Sequence, residues 1–141
     1  MEDMINHPKH YTQCAVNVEP IELTSRLDSC LGQAINYVMR ANFKGSKRED
    51  LEKAIYYLER EMSLRTSSDY QYGYKTYDTL AYEAVAFVQC FSLLSNDELT
   101  KNVLTQLFED MILDNKNVVS EINIIHAIEF IEEELSNLTD N

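Results

Sequence analysis

Glycine and proline are scarce in this chain, which has 3 glycines and 2 prolines among 141 residues. β-Sandwiches and barrels need turn residues every few positions, whereas helices need far fewer, so this scarcity favours helices. Gly32, Gly45 and Gly73 are also too far apart to form a P-loop or the glycine motif of a dinucleotide-binding fold. We therefore expect an all-α protein in which any nucleotide site is built without a glycine-rich loop.

Hydrophobic periodicity divides the chain into about six helices, which follow an irregular N-terminal arm at residues 5–18. The polar, tyrosine-rich segment 65–75 is predicted to be an exposed linker or a loop that faces a ligand. No strand is predicted, and we expect the helices to form one compact bundle. The predicted helices cover residues 20–27, 30–43, 46–64, 80–91, 95–113 and 120–138.

Capping signals mark the start of three of these helices. Ser46 and Glu49 form an S-x-x-E capping box, and Ser95 and Glu98 form a second one. Ser120 is positioned to cap the last helix. These polar residues predict where the helices begin.

The last two predicted helices are apolar on more than one face. One explanation is a well-buried hairpin, and the other is that the surplus apolar face forms an interface in a homo-oligomer. The residues concerned are Leu99, Val103, Leu104, Leu107, Phe108, Met111, Ile112, Ile122, Ile124, Ile125, Ile128 and Ile131.

Charge is distributed unevenly along the chain, whose net charge is −12. Residues 1–66 carry 9 basic and 10 acidic side chains, whereas residues 67–141 carry 3 and 14. Such an acidic protein is poorly suited to bind nucleic acid or an anionic membrane directly. The asymmetry predicts two zones, residues 1–66 and an acidic helical region at 67–141, which are either parts of one domain or a domain with an acidic appendage. We expect the two to pack together as one domain.

The cysteines and the N-terminus bear on where the protein works. Cys14, Cys30 and Cys90 form no paired disulfide framework, and the N-terminus lacks the pattern of a signal peptide. The most apolar stretch, residues 80–94, is too short to span a bilayer. We therefore expect a soluble protein of a reducing cytoplasm.

The junction of the second and third predicted helices holds a group of cations. Arg40 and Lys44 share one helix face, and Lys47 and Arg48 lie where the next helix begins and presents free N–H groups. Such a helix N-terminus beside cations suits a phosphate group, and Asp50 is placed to hold Mg²⁺ or to orient a cation. Alternatively, these charges only complement the dipoles of the two helices.

Two histidines in the N-terminal arm are candidates for chemistry near neutral pH. His7 and His10, with Cys14 nearby, lack the second ligand pair of a structural zinc site, so no metal site is predicted. Their rings suit phosphate contact or acid–base work, or they only fix the arm by hydrogen bonds.

Tyrosines accompany the cationic group on the same two helices. Tyr37, Tyr56 and Tyr57 offer aromatic faces on which a base can stack while cations hold its phosphates. The alternative is that these rings are half-buried packing residues.

An ordered series of motifs lies between residues 6 and 62. It reads Asn6-His7-Pro8-x-His10-Tyr11, Glu19-x-Ile21-Glu22, Leu31-Gly32-x-Ala34-Ile35-x-Tyr37-x-x-Arg40, Lys44, and Asp50-Leu51-x-Lys53-Ala54-x-x-Tyr57-Leu58-Glu59-Arg60. The series resembles a phage-encoded family, the domain-of-unknown-function family 3310. One branch of that family, in T-odd coliphages, is a nucleotide kinase that lacks a P-loop and acts on deoxynucleoside monophosphates.

The resemblance implies a nucleotide site in the first region of the chain, and the helix N-terminus adds Lys47 to it. The chain departs from the family pattern at Asn36, Asn42 and Tyr56, where lysine, glycine and tryptophan are usual. No catalytic residue is assigned. The predicted binding residues are His7, His10, Tyr11, Arg40, Lys44, Lys47, Asp50 and Lys53.

Three hypotheses about function follow. The leading one is a phage-type protein that binds a nucleotide or a related phosphorylated small molecule, with Mg²⁺ arriving on the nucleotide and phosphoryl transfer as the reaction if it is an enzyme. The alternative is a non-enzymatic anti-defence protein in the host cytoplasm, which sequesters a signalling nucleotide or blocks a nucleic-acid-binding host protein with its acidic face. The third is an assembly protein that forms homo-oligomers.

Overall fold

The computed structural model describes residue 24 and residues 27–41, 46–66, 74–76, 80–114 and 116–139. Within these ranges, none of the helices is both long enough and apolar enough to cross a membrane. The predicted all-α class is confirmed. The elements are α1 (Ser29–Arg40), α2 (Lys47–Thr66), β1 (Tyr74–Thr76), α3 (Leu80–Leu94), α4 (Glu98–Leu107), α5 (Glu109–Asp114), β2 (Val118–Ser120) and α6 (Glu121–Thr139).

The helices α1 and α2 pack against each other as an antiparallel pair. Gly32 allows a close approach beside this pair, because a Cβ atom there would lie 2.9 Å from the carbonyl oxygen of Thr24. The apolar stripes of the two helices, spaced three and four residues apart, supply the buried contact. These stripes consist of Leu31, Ala34, Ile35, Val38, Leu51, Ala54 and Leu58.

The last helix connects the two halves of the chain. α6 packs on α4 and also on α2. Lys47, at the start of α2, is paired with Glu134 of α6. Arg65, near the end of α2, donates a hydrogen bond to Val119, just before α6 begins. The two helices therefore run antiparallel, and one cluster of buried residues includes side chains from both halves of the chain.

The predicted helix at residues 95–113 is broken into two. α4 ends at Leu107 and α5 begins at Glu109, with Phe108 between them at φ −105° and ψ 21°. Leu107, Phe108 and Met111 are each 1% exposed. Phe108 still donates its N–H to the Leu104 carbonyl over 3.0 Å, and its own carbonyl accepts from the N–H of Ile112 over 2.9 Å. The break is therefore a change of backbone angles at one buried residue.

The predicted capping box at Ser95 and Glu98 is wrong. The residue that caps α4 is Asp97, whose carboxylate accepts hydrogen bonds from the N–H and the hydroxyl of Thr100. Ser95 supports this cap, because its hydroxyl oxygen accepts a hydrogen bond from the N–H of Asp97 over 3.0 Å. A carboxylate at the cap also interacts well with the helix dipole, which explains the choice.

Two short strands that the periodicity does not predict pair in antiparallel fashion. Tyr74 lies opposite Ser120, and Thr76 lies opposite Val118. β2 is rich in β-branched residues, which suit a strand, and Val119 is 1% exposed. Of the predicted linker 65–75, residues 67–73 lie outside the described ranges.

Several other sequence predictions can be placed. The predicted helices 30–43, 46–64, 80–91 and 120–138 correspond to α1, α2, α3 and α6, whereas the arm 5–18 and most of the predicted helix 20–27 lie outside the described ranges. Cys30 is a free thiol. Cys90 is disulfide-bonded, so the expectation of unpaired cysteines is wrong for that residue.

Most of the surplus apolar residues of the last two predicted helices are buried within the chain itself. Ile124, Ile128 and Ile131 belong to the core, whereas Ile122 is 54% exposed. The buried-hairpin explanation therefore accounts for most of this apolar surface, and the homo-oligomer stays a prediction.

Candidate functional site

The junction between α1 and α2 begins with the predicted capping pair. The hydroxyl of Ser46 donates to Oε2 of Glu49 over 3.2 Å, and the N–H of Asp50 donates to the Ser46 carbonyl over 3.0 Å. The two predicted residues therefore meet at the start of α2, through their side chains. This arrangement places the first turn of α2 opposite the end of α1.

Arg40 and Asp50 form an ion pair across this junction. Nε of Arg40 lies 3.6 Å from Oδ2 of Asp50, and the two side chains are 57% and 4% exposed. Oδ2 has no hydrogen-bond partner, although a buried carboxylate oxygen normally has one. A guanidinium carries five N–H groups, so the exposed part of Arg40 keeps donors available for an anion. The structure therefore pairs the Asp50 carboxylate with the cation of Arg40.

Lys53 lies one turn further along α2 and makes two contacts. Its Nζ is 3.0 Å from Oε1 of Glu49 and 5.5 Å from the centre of the Tyr37 ring. The hydrogen bond between Lys53 and Glu49 raises the pKa of the lysine and lowers the pKa of the glutamate. Because both groups are exposed, their pairing stabilises the fold little and a stronger anion can replace the carboxylate.

Three tyrosines form an aromatic group beside these charges. The rings of Tyr37 and Tyr57 are stacked, with centroids 5.8 Å apart and planes 10° apart. Tyr56 meets Tyr57 edge to face at 5.1 Å and is 59% exposed. Tyr37 and Tyr57 also pack partly against the core. The same two rings are therefore packing residues and a stacked aromatic pair.

Lys47 is directed elsewhere. Its Nζ lies 3.5 Å from Oε2 of Glu134 on α6, and both side chains are about one-third exposed. The structure therefore brings Arg40, Asp50 and Lys53 together but pairs Lys47 with another helix. His7, His10, Tyr11 and Lys44 lie outside the described ranges.

Metal-binding geometry is not seen in the part of the chain that the structure describes. Among those residues, no group of three or more His, Cys, Asp or Glu side chains is arranged to hold a metal ion. His126 lines a surface cavity instead.

A buried charged cluster at the other end of α2 is missed by the sequence reasoning. Nε of Arg65 donates to Oε2 of Glu61 over 2.7 Å, and these side chains are 0% and 1% exposed. Burial raises the pKa of Glu61, and a hydrogen bond with Asp28 raises it further, whereas Arg65 lowers it. The prediction of an exposed segment from residue 65 onward is therefore wrong for Arg65.

A signal for this cluster is present in the sequence. The buried stripe of α2 runs through Leu51, Ala54 and Leu58, and the same spacing continues through Glu61 and Arg65. Two opposite charges four residues apart on a core stripe indicate a buried ion pair.

An acidic groove lies between α4 and α6. It contains a cavity of about 280 Å³ and a second of about 180 Å³, and both are lined by Phe130 and Glu133. Glu129 lines the first, and Glu98 and Glu134 line the second. Neither cavity is lined by the residues of the α1–α2 junction.

Comparison with known protein families gives a match that covers α1 and most of α2. No curated protein and no solved structure matches the chain. Residues 5–59 match the sequence model of a family described as a protein of unknown function (DUF3310), and this N-terminal segment of the chain is therefore similar to that family.

Proposed function

We propose that the chain binds a nucleotide or a related phosphorylated small molecule at the α1–α2 junction. The observation that supports this most is the half-exposed Arg40, held by the buried Asp50 and placed near Lys53 and the stacked Tyr37 and Tyr57. A phosphorylated aromatic ligand needs cations and an aromatic surface side by side.

Each charged group at the junction would contact a different part of the ligand. Arg40 and the N-terminus of α2 would hold a phosphate, because a helix N-terminus attracts anions. Oδ2 of Asp50 is ion-paired with Arg40 but has no hydrogen bond, and it would accept one from a hydroxyl or amine of the ligand. Lys53 would exchange Glu49 for the phosphate and keep its place over the Tyr37 ring.

Phosphoryl transfer is the finer form of this proposal. The reaction needs positioning and charge neutralisation more than covalent work from the protein, and Mg²⁺ would arrive with the nucleotide. Binding without turnover would instead be sequestration of a nucleotide. An assay of phosphate transfer from ATP to deoxynucleoside monophosphates separates these two forms.

Arg40→Ala tests the site itself. We expect it to weaken the affinity for a deoxynucleoside monophosphate about 10- to 100-fold, because charge-assisted hydrogen bonds contribute about 1.5–3 kcal/mol. The measurement is isothermal titration calorimetry. Arg60→Ala is the matched control, since Arg60 is exposed on the same helix about 15 Å from Asp50 along the axis. Equal affinities for wild type and Arg40→Ala would refute this assignment.

A second candidate function is favoured by the acidic groove between α4 and α6. Glu129, Glu133 and Glu134 line the cavities of this groove together with Phe130, and a combination of carboxylates and an aromatic ring suits a basic partner protein. This is the blocking form of the anti-defence hypothesis.

Charge reversal tests the second candidate. Glu129→Lys with Glu133→Lys should slow the association of an arginine-rich helical peptide about tenfold at low salt, measured by stopped flow. Glu109→Lys with Asp114→Lys, on α5, has the same net charge as the first variant and should slow the association with the peptide less. Equal slowing of the association by both variants would show that net charge alone is the cause, and would contradict a specific role of the groove.

A further inference from the structure

The end of α2 far from the α1–α2 junction holds buried hydrogen-bond donors that have no partner. In the described part of the chain, Nη2 of Arg65, Oγ of Ser120 and Nδ2 of Asn123 are buried and make no hydrogen bond. Arg65 and Asn123 are 3% and 2% exposed. Native proteins rarely bury a donor without an acceptor, so each of these groups needs an explanation.

All three groups belong to the place where α6 begins. Nη1 of Arg65 donates to the carbonyl oxygen of Val119 over 2.7 Å, which fixes the guanidinium beside the start of α6. Ser120 directly precedes the helix, and Asn123 is its third residue. The residue before a helix and the third residue within it lie at the same end, close enough for a side chain of one to reach the backbone of the other.

The start of α6 adds backbone donors to this set. The first N–H groups of a helix have no acceptor within the helix, and together with the dipole they attract negative charge. The sequence predicts Ser120 as the cap of this helix, and that prediction is wrong, because the Ser120 hydroxyl makes no hydrogen bond. The Ser120 side chain therefore accepts no hydrogen bond from the first N–H groups of α6.

We propose that Arg65, Ser120, Asn123 and the first turn of α6 bind one phosphate group. A phosphate presents four acceptor oxygens in tetrahedral directions, which suits donors arriving from a guanidinium, a hydroxyl, an amide and the helix. A single water molecule has two acceptor lone pairs and leaves at least one of these donors unsatisfied. Nε of Arg65 is hydrogen-bonded to Glu61, which leaves Nη2 available to the phosphate. Glu61 and Glu121, the first residue of α6, carry negative charges that lower the affinity for it.

This phosphate site is separate from the nucleotide site proposed above. Arg65 lies 15 residues beyond Asp50 on α2, a distance of about 22 Å along the helix. The two sites can therefore be tested independently. Variants at one end of α2 leave the other end intact.

Inorganic phosphate is the probe for this site. It should raise the melting temperature of the full chain above that in sodium chloride of equal ionic strength. Asn123→Asp replaces a donor by a carboxylate and should weaken phosphate binding at least tenfold. The new charge sits in the first turn of α6, where the dipole stabilises it, so the variant is expected to fold. Asn102→Asp makes the same change at an exposed position of α4 and should bind phosphate like wild type.

Further variants distinguish phosphate binding at the start of α6 from binding at the nucleotide site. Ser120→Ala is a milder variant, and it should weaken phosphate binding by a smaller factor than Asn123→Asp. The part of the phosphate effect that Asn123→Asp removes should remain in Arg40→Ala, whether or not that variant loses nucleotide binding. A phosphate effect as large in Asn123→Asp and Ser120→Ala as in wild type, or no effect in wild type, would overturn the proposal. So would a crystal grown in phosphate that shows only water beside Nη2 of Arg65.

Discussion

Glu61 and Arg65 occupy positions where α2 would otherwise present apolar side chains to the core. They continue the stripe that includes Leu58, and both are almost fully buried. Two ions lose their hydration there, and their mutual attraction in the interior compensates for that loss only while both are present. The hydrogen bond from Arg65 to Val119 also connects α2 to the strand before α6. The pair is therefore a structural link as well as an electrostatic one.

Removing one member of this pair should be severe. Arg65→Ala leaves the Glu61 carboxylate buried without its cation, and we expect it to lower the free energy of unfolding by about 3–5 kcal/mol. Arg60→Ala, at an exposed position on the same helix, should change it by less than about 0.5 kcal/mol. Urea unfolding followed by circular dichroism measures both. A loss below about 1 kcal/mol for Arg65→Ala would mean that water or a neighbouring group replaces the arginine.

The start of α4 shows how an element is fixed by a few polar contacts. Asp97 accepts two hydrogen bonds from Thr100, and Ser95 accepts one from the N–H of Asp97. Both Asp97 and Thr100 are buried, so water cannot replace these bonds easily. The S-x-x-E pattern at 95–98 is present in the sequence, but the aspartate inside it is the better cap.

Substitution of this cap gives an element-scale prediction. Asp97→Ala should lower the free energy of unfolding by about 1–2 kcal/mol, since a lost cap costs about 0.5–2 kcal/mol and here two hydrogen bonds are lost. Asn96→Ala, one residue earlier and exposed, is the matched control and should have little effect. The measurement is thermal unfolding by calorimetry. A larger effect of Glu98→Ala than of Asp97→Ala would show that Ser95 and Glu98, and not Asp97, cap the helix.

At the scale of the whole molecule, the net charge of −12 acts against the compact state. Carboxylates crowd the surface of α6, where Glu129, Glu132 and Glu133 are exposed. The pairing of Lys47 with Glu134 offsets part of this repulsion and links α2 to α6. Screening by salt should therefore stabilise the fold rather than weaken it.

This repulsion makes the melting temperature dependent on sodium chloride. We expect it to rise by about 3 °C or more between 20 and 300 mM salt, equivalent to roughly 1 kcal/mol for a domain of this size. Glu132→Gln with Glu133→Gln removes two of the repelling charges and should reduce the rise. Differential scanning fluorimetry measures both proteins. A melting temperature that falls with added salt would show that attractive ion pairs dominate instead.

Much of the fold can be predicted from local patterns. Leu31, Ile35 and Val38 follow a 3–4 spacing, and so do Leu51, Ala54 and Leu58. This spacing determines two helices and the faces that they bury, because a helix brings such residues to one side. Part of the candidate site follows as well, since Arg40 and Asp50 flank a short connection between those helices. The pairing of Lys47 with Glu134, 87 residues apart, has no local signature.

The sequence by itself determined the all-α class, the helices and the acidic character of the protein, because each depends on composition or on spacing within one turn. Tertiary structure decided which charges meet and which segments pair. The burial of Arg65 and the strand pair β1–β2 each satisfy groups that come together only when distant segments pack. Burial and hydrogen bonding between such segments are properties of the folded chain, and no single stretch of sequence contains them.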